Sequence, residues 1–257
     1  MGRDIIHTAL AQHVKTLNDC NQRGGRMLSL VDLVDAGSVN ITLAGYLAAM
    51  MQEGASLLVG AKPGGAGKTA VMCACLNFLP ATMEIRVIDR GVNIQQMDRD
   101  VGVKNDCFLA HEIGAGPYYA YVWGQQVRDF FSLSRLGYTI ASNLHADTPG
   151  ETDDQLCNQN GISRELVQGI PLKIYLRTSR ASNGRINRWV SHVYESDEGK
   201  NNLVWKGDSP GNFQRMMPSQ LVKLSDEVTW SDFLTTCQQN NIRRIEDVRL
   251  ALMKTMQ

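Results

Sequence analysis

The stretch Ser56–Thr69, SLLVGAKPGGAGKT, decides the fold. A short apolar run feeds a glycine-rich loop that closes on Gly-Lys-Thr. Ala70–Leu79 then carries Val71, Met72, Cys75, Leu76 and Leu79 at helical spacing, and Pro80 stops it. Strand, glycine loop and helix together make a cradle for a nucleotide's phosphates. Gly64, Gly65 and Gly67 open backbone conformations closed to other residues, so that several N–H groups can point inward at an anion. The nucleotide-binding residues expected from this pattern are Pro63, Gly64, Gly65, Ala66, Gly67, Lys68, Thr69 and Ala70. Lys68 is expected to reach the β/γ-phosphates and Thr69 to ligate Mg²⁺. The pattern G-x-x-x-x-G-K-[ST] is broken at its first position, where Lys62 stands in place of glycine. A surface turn that merely contains Gly-Lys-Thr is the bland alternative, and the flanking strand and helix weigh against it.

Composition bounds the remainder. A chain of 257 residues with 43% hydrophobic content can bury a sizeable core. Lys+Arg and Asp+Glu each total 26, so no global basic field recruits nucleic acid or an anionic membrane. The six cysteines form no C-x-x-C pair and no zinc spacing, which suits reduced, mostly buried thiols in a cytosolic protein. No apolar run approaches the roughly 20 residues that cross a bilayer. The expected location is cytoplasmic, with any membrane association made through partners.

Along the chain, Asp4–Asn18 reads as a mixed, mostly polar helix, and residues 22–26 as a flexible break. A short helix over Leu28–Asp35 closes at Gly37, and Asn40 can N-cap another over Ile41–Gln52. Beyond the glycine loop come apolar runs at Ile85–Ile88, Cys107–Ala110 and Thr139–Ser142, with a helix over Trp123–Leu136. Strands alternating with helices predict an α/β fold with a mainly parallel sheet, whose ligands sit at the carboxyl ends of the strands. After Gly161 the pattern turns to Leu172–Arg177, Asn187–Tyr194 and Leu203–Lys206, separated by Ser-Asn-Gly and Asp-Glu-Gly turns: an antiparallel addition. Ile242, Ile245, Val248, Leu252 and Met256 share one face of a terminal helix. The expected units are a helical segment over 1–54, the core with its antiparallel addition over 55–210, and a helical tail over 211–257.

Polar residues close each of the apolar runs. Asp89 ends Arg86-Val-Ile-Asp, Glu112 ends Phe108-Leu-Ala-His-Glu, and His145 ends Ala141-Ser-Asn-Leu-His. Cleaving a γ-phosphate needs a carboxylate to orient or deprotonate water, an acid near the Mg²⁺ shell and a hydrogen-bonding group reading the γ-phosphate. Glu112, Asp89 and His145 are therefore the catalytic candidates. Taken singly, a strand-end acid is a cap or surface charge, and a lone histidine near a turn is structural. Their ordered appearance after a phosphate loop favours function.

In that order the motifs resemble those of the secretion ATPase superfamily, the motors of type II and type IV secretion and of type IV pili. Lys68 and Thr69 match Walker A, Asp89 the acidic Asp box, Glu112 the Walker B glutamate in LAHEI, and Gly137–His145 the His box. The resemblance spans residues 27–195. It implies a RecA-like P-loop core that binds and hydrolyses ATP with Mg²⁺. It further implies a homo-oligomeric ring, a hexamer by preference, working on a protein partner in a secretion, pilus or membrane assembly. Tyr138 replaces the first His-box histidine, Arg90 the second Asp-box acid, and Gly114-Ala-Gly follows Glu112 where the family has Arg-Asp. The family's large N-terminal domain has no counterpart in residues 1–54.

A phosphoryl-transfer site also needs an arginine, and Arg90 and Arg99 are the candidates for one lent to a neighbouring subunit. Arg164, Lys173, Arg177, Arg180, Arg185 and Arg188 read as a basic cluster on the antiparallel addition, better suited to a subunit contact than to nucleic acid. Tyr118, Tyr119, Tyr121 and Trp123 are dense enough to stack an adenine, or serve as core or interface anchors. Two rival functions stand beside the motor: a packaging or mobilisation ATPase directed to nucleic acid, and an assembly module that binds nucleotide with little hydrolysis.

Overall fold

The computed structural model describes residues 2–21, 24–89, 105–197 and 199–255. Helices α1 (Gly2–Asp19), α2 (Leu30–Asp35) and α3 (Ile41–Gln52) lead into strand β1 (Leu57–Gly60) and helix α4 (Lys68–Leu76). Strands β2 (Glu84–Ile88), β3 (Asp106–Ile113) and β4 (Tyr121–Val122) follow, then α5 (Gln125–Arg135) and β5 (Thr139–Leu144). Helix α6 (Pro149–Asp153) continues as a π-helical turn over Asp154–Asn158, and α7 (Arg164–Gln168) precedes β6 (Leu172–Arg180). Strands β7 (Ile186–Asp197), β8 (Lys200–Ser209) and β9 (Asn212–Arg215) and helices α8 (Leu224–Gln239) and α9 (Ile245–Thr255) complete the described chain.

The strands form one sheet in the order β2-β3-β5-β1-β6-β7-β8-β9, with β4 paired to the end of β3. From β2 to β6 the pairing is parallel; from β6 to β9 it is antiparallel. The mixed α/β architecture with a mainly parallel sheet and antiparallel C-terminal strands thus follows the sequence reading.

Alternation along the strands distributes side chains to two cores. Leu57 and Val59 of β1, with Cys107 and Leu109 of β3, pack under α1–α4, α8 and α9. Leu58, Phe108, Ala110 and Ile140 face the opposite side and pack with Val127, Phe130 and Phe131 of α5. Because both faces are covered, β1 and β5 are buried along their whole length. Strand β6 serves both halves of the sheet. Its buried start, Leu172–Leu176, lies beside β1, while its exposed end projects with β7 as a hairpin.

Helix starts obey local chemistry. Ser29 and Asp32 form a reciprocal capping box on α2, and Asn40 caps α3 through Leu43 N–H. The phosphate-loop helix begins at Lys68, because Gly67 is left-handed with φ 96°. It stops at Leu76, short of the expected Leu79, where Phe78 N–H and Leu79 N–H bond to Cys75 and Leu76 carbonyls in tighter turns. Strand β9 and helix α8 are additional elements in the region expected as tail. The expected β8 extends back to Lys200, where it pairs with the end of β7, and on to Ser209, where Asn212–Arg215 supplies a partner. Of the terminal-helix residues, Ile242 precedes α9 and Met256 lies outside the described residues. The tail packs on the N-terminal helices, with Leu234, Cys237, Ile245, Val248 and Leu252 in the same core as α3.

Candidate nucleotide site

The parallel order inserts β5 between β1 and β3, and this places the carboxyl ends of all three beside the glycine loop. Gly60 allows the approach: a Cβ there would meet the Ala146 carbonyl, and Tyr175 Cδ1 at 2.7 Å. Only glycine lets β1 run this close to the chain leaving His145.

Gly65 and Gly67 take left-handed conformations at φ 81° and 96°, and a Cβ on Gly64 would meet nothing within 4 Å. No side chain caps α4, so its first N–H groups and the positive end of its dipole face an open concavity. Pro63 and Gly64 are exposed, Ala66 is buried under the loop, and Ala70 lies partly buried on the first turn of α4. This shape and polarity fit a polyphosphate.

Lys68 Nζ stands 2.7 Å from Glu112 Oε1 and donates to the Ala61 carbonyl at 3.1 Å. The Lys68 side chain is only 8% exposed. The same Glu112 oxygen is 2.9 Å from His145 Nε2. Lysine and histidine from separate elements thus converge on the carboxylate of a glutamate from a third. Asn143 lies one pleat behind His145 on β5 and shares its face. Its amide donates to Thr69 Oγ1 at 3.2 Å and to the His111 carbonyl at 2.7 Å, tying the metal-ligand candidate to the glutamate strand. Asn143 Oδ1 is buried and has no hydrogen-bond partner among the described residues. Gln155 fixes the far wall, accepting from His145 N–H at 3.1 Å and donating to the Ile113 carbonyl at 2.7 Å.

The altered start of the loop has its own partners. Lys62 N–H donates to Asp147 Oδ1 at 2.8 Å, Lys62 Nζ pairs with Glu151 at 2.6 Å, and Asp147 N–H donates to Glu151 at 2.8 Å. The pair with Glu151, reinforced by the Asp147 N–H, holds that carboxyl below its usual range. The residue that breaks the glycine pattern therefore ties the loop to the segment after His145.

Asp89 is not drawn into this convergence. Its side chain is exposed at the end of β2, and its backbone carbonyl accepts from Gln126 at 3.3 Å. Strands β3 and β5 separate β2 from the loop strand. Arg90 and Arg99 lie outside the described residues.

Of the basic residues 164–188, Arg164, Arg177, Arg180, Arg185 and Arg188 are exposed and Lys173 is not. Lys173 is 1% exposed, its ammonium donating to the Ile170 carbonyl and Ser196 Oγ, and burial lowers its pKa to about 8. Arg188 leaves the hairpin for the glycine loop, where its Nε donates to the Gly65 carbonyl at 2.8 Å. Of the aromatics near Glu112, Trp123 packs against the core on the α5 side, Tyr118 and Tyr119 are exposed, and Tyr121 meets the His145 ring edge-on at 6.0 Å. Asn143, Gln155 and the Arg188 contact were not singled out from the sequence. Of these, Asn143 was recoverable, because it stands two residues before His145 on a strand. Gln155 and Arg188 reach the site only through tertiary packing.

No protein-family model matches the chain, and no curated protein matches it. In structure the chain is similar to three solved ATPases. The VirB11 ATPase of the Brucella suis type IV secretion system, solved with sulphate, is 16% identical at a TM-score of 0.47, over 66% of this chain and 56% of that one. The ATPase DotB of Yersinia pseudotuberculosis is 10% identical at 0.48, over 81% and 55%. The ATPase DotB of Legionella pneumophila is 8% identical at 0.44, over 68% and 53%. This chain thus spans little more than half the length of each.

Proposed function

We propose that this chain is an ATP-binding and ATP-hydrolysing P-loop motor with a RecA-like core, working as a ring that drives assembly or translocation by a partner protein. The observation that carries the reading is the meeting of Lys68 and His145 on the Glu112 carboxylate at the mouth of an uncapped helix. An anion in the cradle offers Lys68 a stronger partner than Glu112, whose carboxylate is then free to orient and deprotonate water. His145 keeps that carboxylate aimed. Thr69 would hold Mg²⁺ through its hydroxyl, with Asn143 keeping that hydroxyl in place. The metal, when bound, neutralises charge on the phosphates. Asp89, exposed on β2, acts in this reading through the metal's outer water shell rather than on the reacting phosphate.

Of the basic residues that motivate the nucleic-acid alternative, Lys173 is buried, which weakens the cluster without removing it.

Calorimetry and turnover on paired variants test the reading. Lys68→Ala should abolish ATP binding, because the phosphate charge loses its charge-assisted partner. Glu112→Gln should keep binding but lower turnover by about 10²–10⁴, the usual contribution of a general base. Full nucleotide affinity in Lys68→Ala would remove the phosphate-cradle assignment. Normal turnover in Glu112→Gln would make that residue structural and pass the base role to Asp89. Tight binding without turnover in the wild type would instead favour the assembly module.

A further inference from the structure

A cation borders the cradle on the side away from Glu112. Arg188 sits on β7, opposite Thr178 of β6, and its backbone is held by the α2–α3 connection: Ser38 Oγ donates to the Arg188 carbonyl at 2.9 Å, and Val190 N–H donates to the Ser38 carbonyl at 2.9 Å. From this fixed point the side chain lies along the loop. Its Cδ is 3.5 Å from where a Cβ on Gly67 would stand, Nε donates to the Gly65 carbonyl, and Nη1 reaches the Ile186 carbonyl at 3.3 Å. No carboxylate pairs with it among the described residues. An unpaired guanidinium therefore rests against the backbone of an anion site whose lysine is already neutralised by Glu112.

The space beyond Arg188 supplies direction. A cavity of about 390 Å³ opens between α2, the flank of α4 and the β6–β7 hairpin, walled by Leu28, Leu33, Val71, Leu176 and Ile186. Its polar lining is Ser38, Arg185, Asn187 and Arg188, and Gly67 borders it on the loop side. A ligand with a phosphate chain in the cradle and an apolar, planar remainder in this cavity would pass directly under the guanidinium.

The geometry points to Arg188 as a phosphate-binding residue supplied by the same chain, which exchanges the Gly65 carbonyl for oxygens of a nucleoside diphosphate or triphosphate at the end nearer the nucleoside. This rests on the phosphate-cradle reading above. The exchange is favourable in kind: a neutral acceptor is replaced by a charged one, and the exposed loop leaves the freed carbonyl to water. Arginine suits the task because its planar fork can meet two oxygens of one phosphate while Nε stays near the loop.

Arg188→Gln is the discriminating variant, because the glutamine amide nitrogen falls where Nε stands and keeps the donor to Gly65 without the charge. ADP and inorganic pyrophosphate are titrated calorimetrically into wild type, Arg188→Gln, Arg188→Lys and Lys68→Ala at low and high salt. Arg188→Gln should weaken ADP by about tenfold, the scale of one charge-assisted bond, and Arg188→Lys should recover part of it. The wild-type advantage over Arg188→Gln should shrink as salt rises. Equal affinity of Arg188→Gln and wild type, with binding lost in Lys68→Ala, makes Arg188 a strut for the loop and overturns this assignment while the cradle stands. Absence of ADP and pyrophosphate binding in the wild type overturns both.

Discussion

Asn143 is the residue through which the parts of the site become one unit. Its amide bridges Thr69 on α4 and the backbone of His111 beside Glu112, so it holds the helix bearing the phosphate loop to the strand bearing the carboxylate. Alanine there would leave the partly buried His111 carbonyl without this donor, at a cost of up to about 1–3 kcal/mol. Urea unfolding of Asn143→Ala should show that loss, and turnover should fall together with stability. An unchanged midpoint would mean that water replaces the amide and that the bridge is incidental. At this scale the sequence was legible where chemistry repeats in order. Lys68 was found from the glycine loop that it closes, Glu112 and His145 because each closes an apolar run, and Asn143 follows from alternation. Asp89 satisfied the same rule yet stands exposed on β2, because the strand order that separates it from the loop is not encoded in any local stretch. Lys62 reads in the sequence as a defect, and only the fold reveals its partners, Asp147 and Glu151, far along the chain.

Among the elements, the C-terminal helices bind the phosphate-loop helix to the N-terminal helices. Arg249 on α9 is 2% exposed and donates through Nη1 to the carbonyls of Asn77 and Leu79, just past the end of α4, while Asn77 donates to the Ile245 carbonyl. It lies by the negative end of the helix dipole and satisfies carbonyls of the turn that follows α4. Sequence periodicity revealed an apolar face on α9, but not the element that face would cover. The α3–α8 crossing is equally close: a Cβ on Gly45 would collide with Ser231 Oγ and come within 2.6 Å of the Glu227 carbonyl. Gly45→Ala should therefore destabilise by about 1–3 kcal/mol through overpacking, despite alanine's better helix propensity. A thermal midpoint at or above that of the wild type would show that α8 can shift outward freely.

His13 of α1 adds a pH dependence at the same junction. Burial first, and the nearby Arg249 charge second, lower its pKa from 6.5 to about 3. Between these values the unfolded chain binds a proton that the folded chain does not. The stability from His13 is thus fully present above pH 6.5 and declines as pH falls towards 3. The loss should approach about 1.4 kcal/mol per pH unit across that window. His13→Leu should flatten the fall in stability relative to wild type over the same range. Parallel pH profiles for the two proteins would assign the acid sensitivity to other groups.

For the whole molecule, the deciding question is what faces the outer end of the phosphates. Lys68 and Arg188 both approach from the cradle side, and Glu112 and His145 bring a carboxylate and an imidazole to the far side. The transition state of phosphoryl transfer concentrates negative charge on the terminal phosphate, which calls for a cation opposite the cradle. In the ring proposed above, a neighbouring chain would supply it, with Arg90 and Arg99 as donors and the strands within Leu172–Lys206 as part of the wall between subunits. ATPase activity per chain should then rise with protein concentration. Inactive Lys68→Ala chains mixed with an Arg90→Ala, Arg99→Ala double variant should recover part of the activity, since each mixed interface can pair an intact cradle with intact arginines. A monomer by light scattering with full, concentration-independent turnover would exclude a shared site and leave a self-contained nucleotidase.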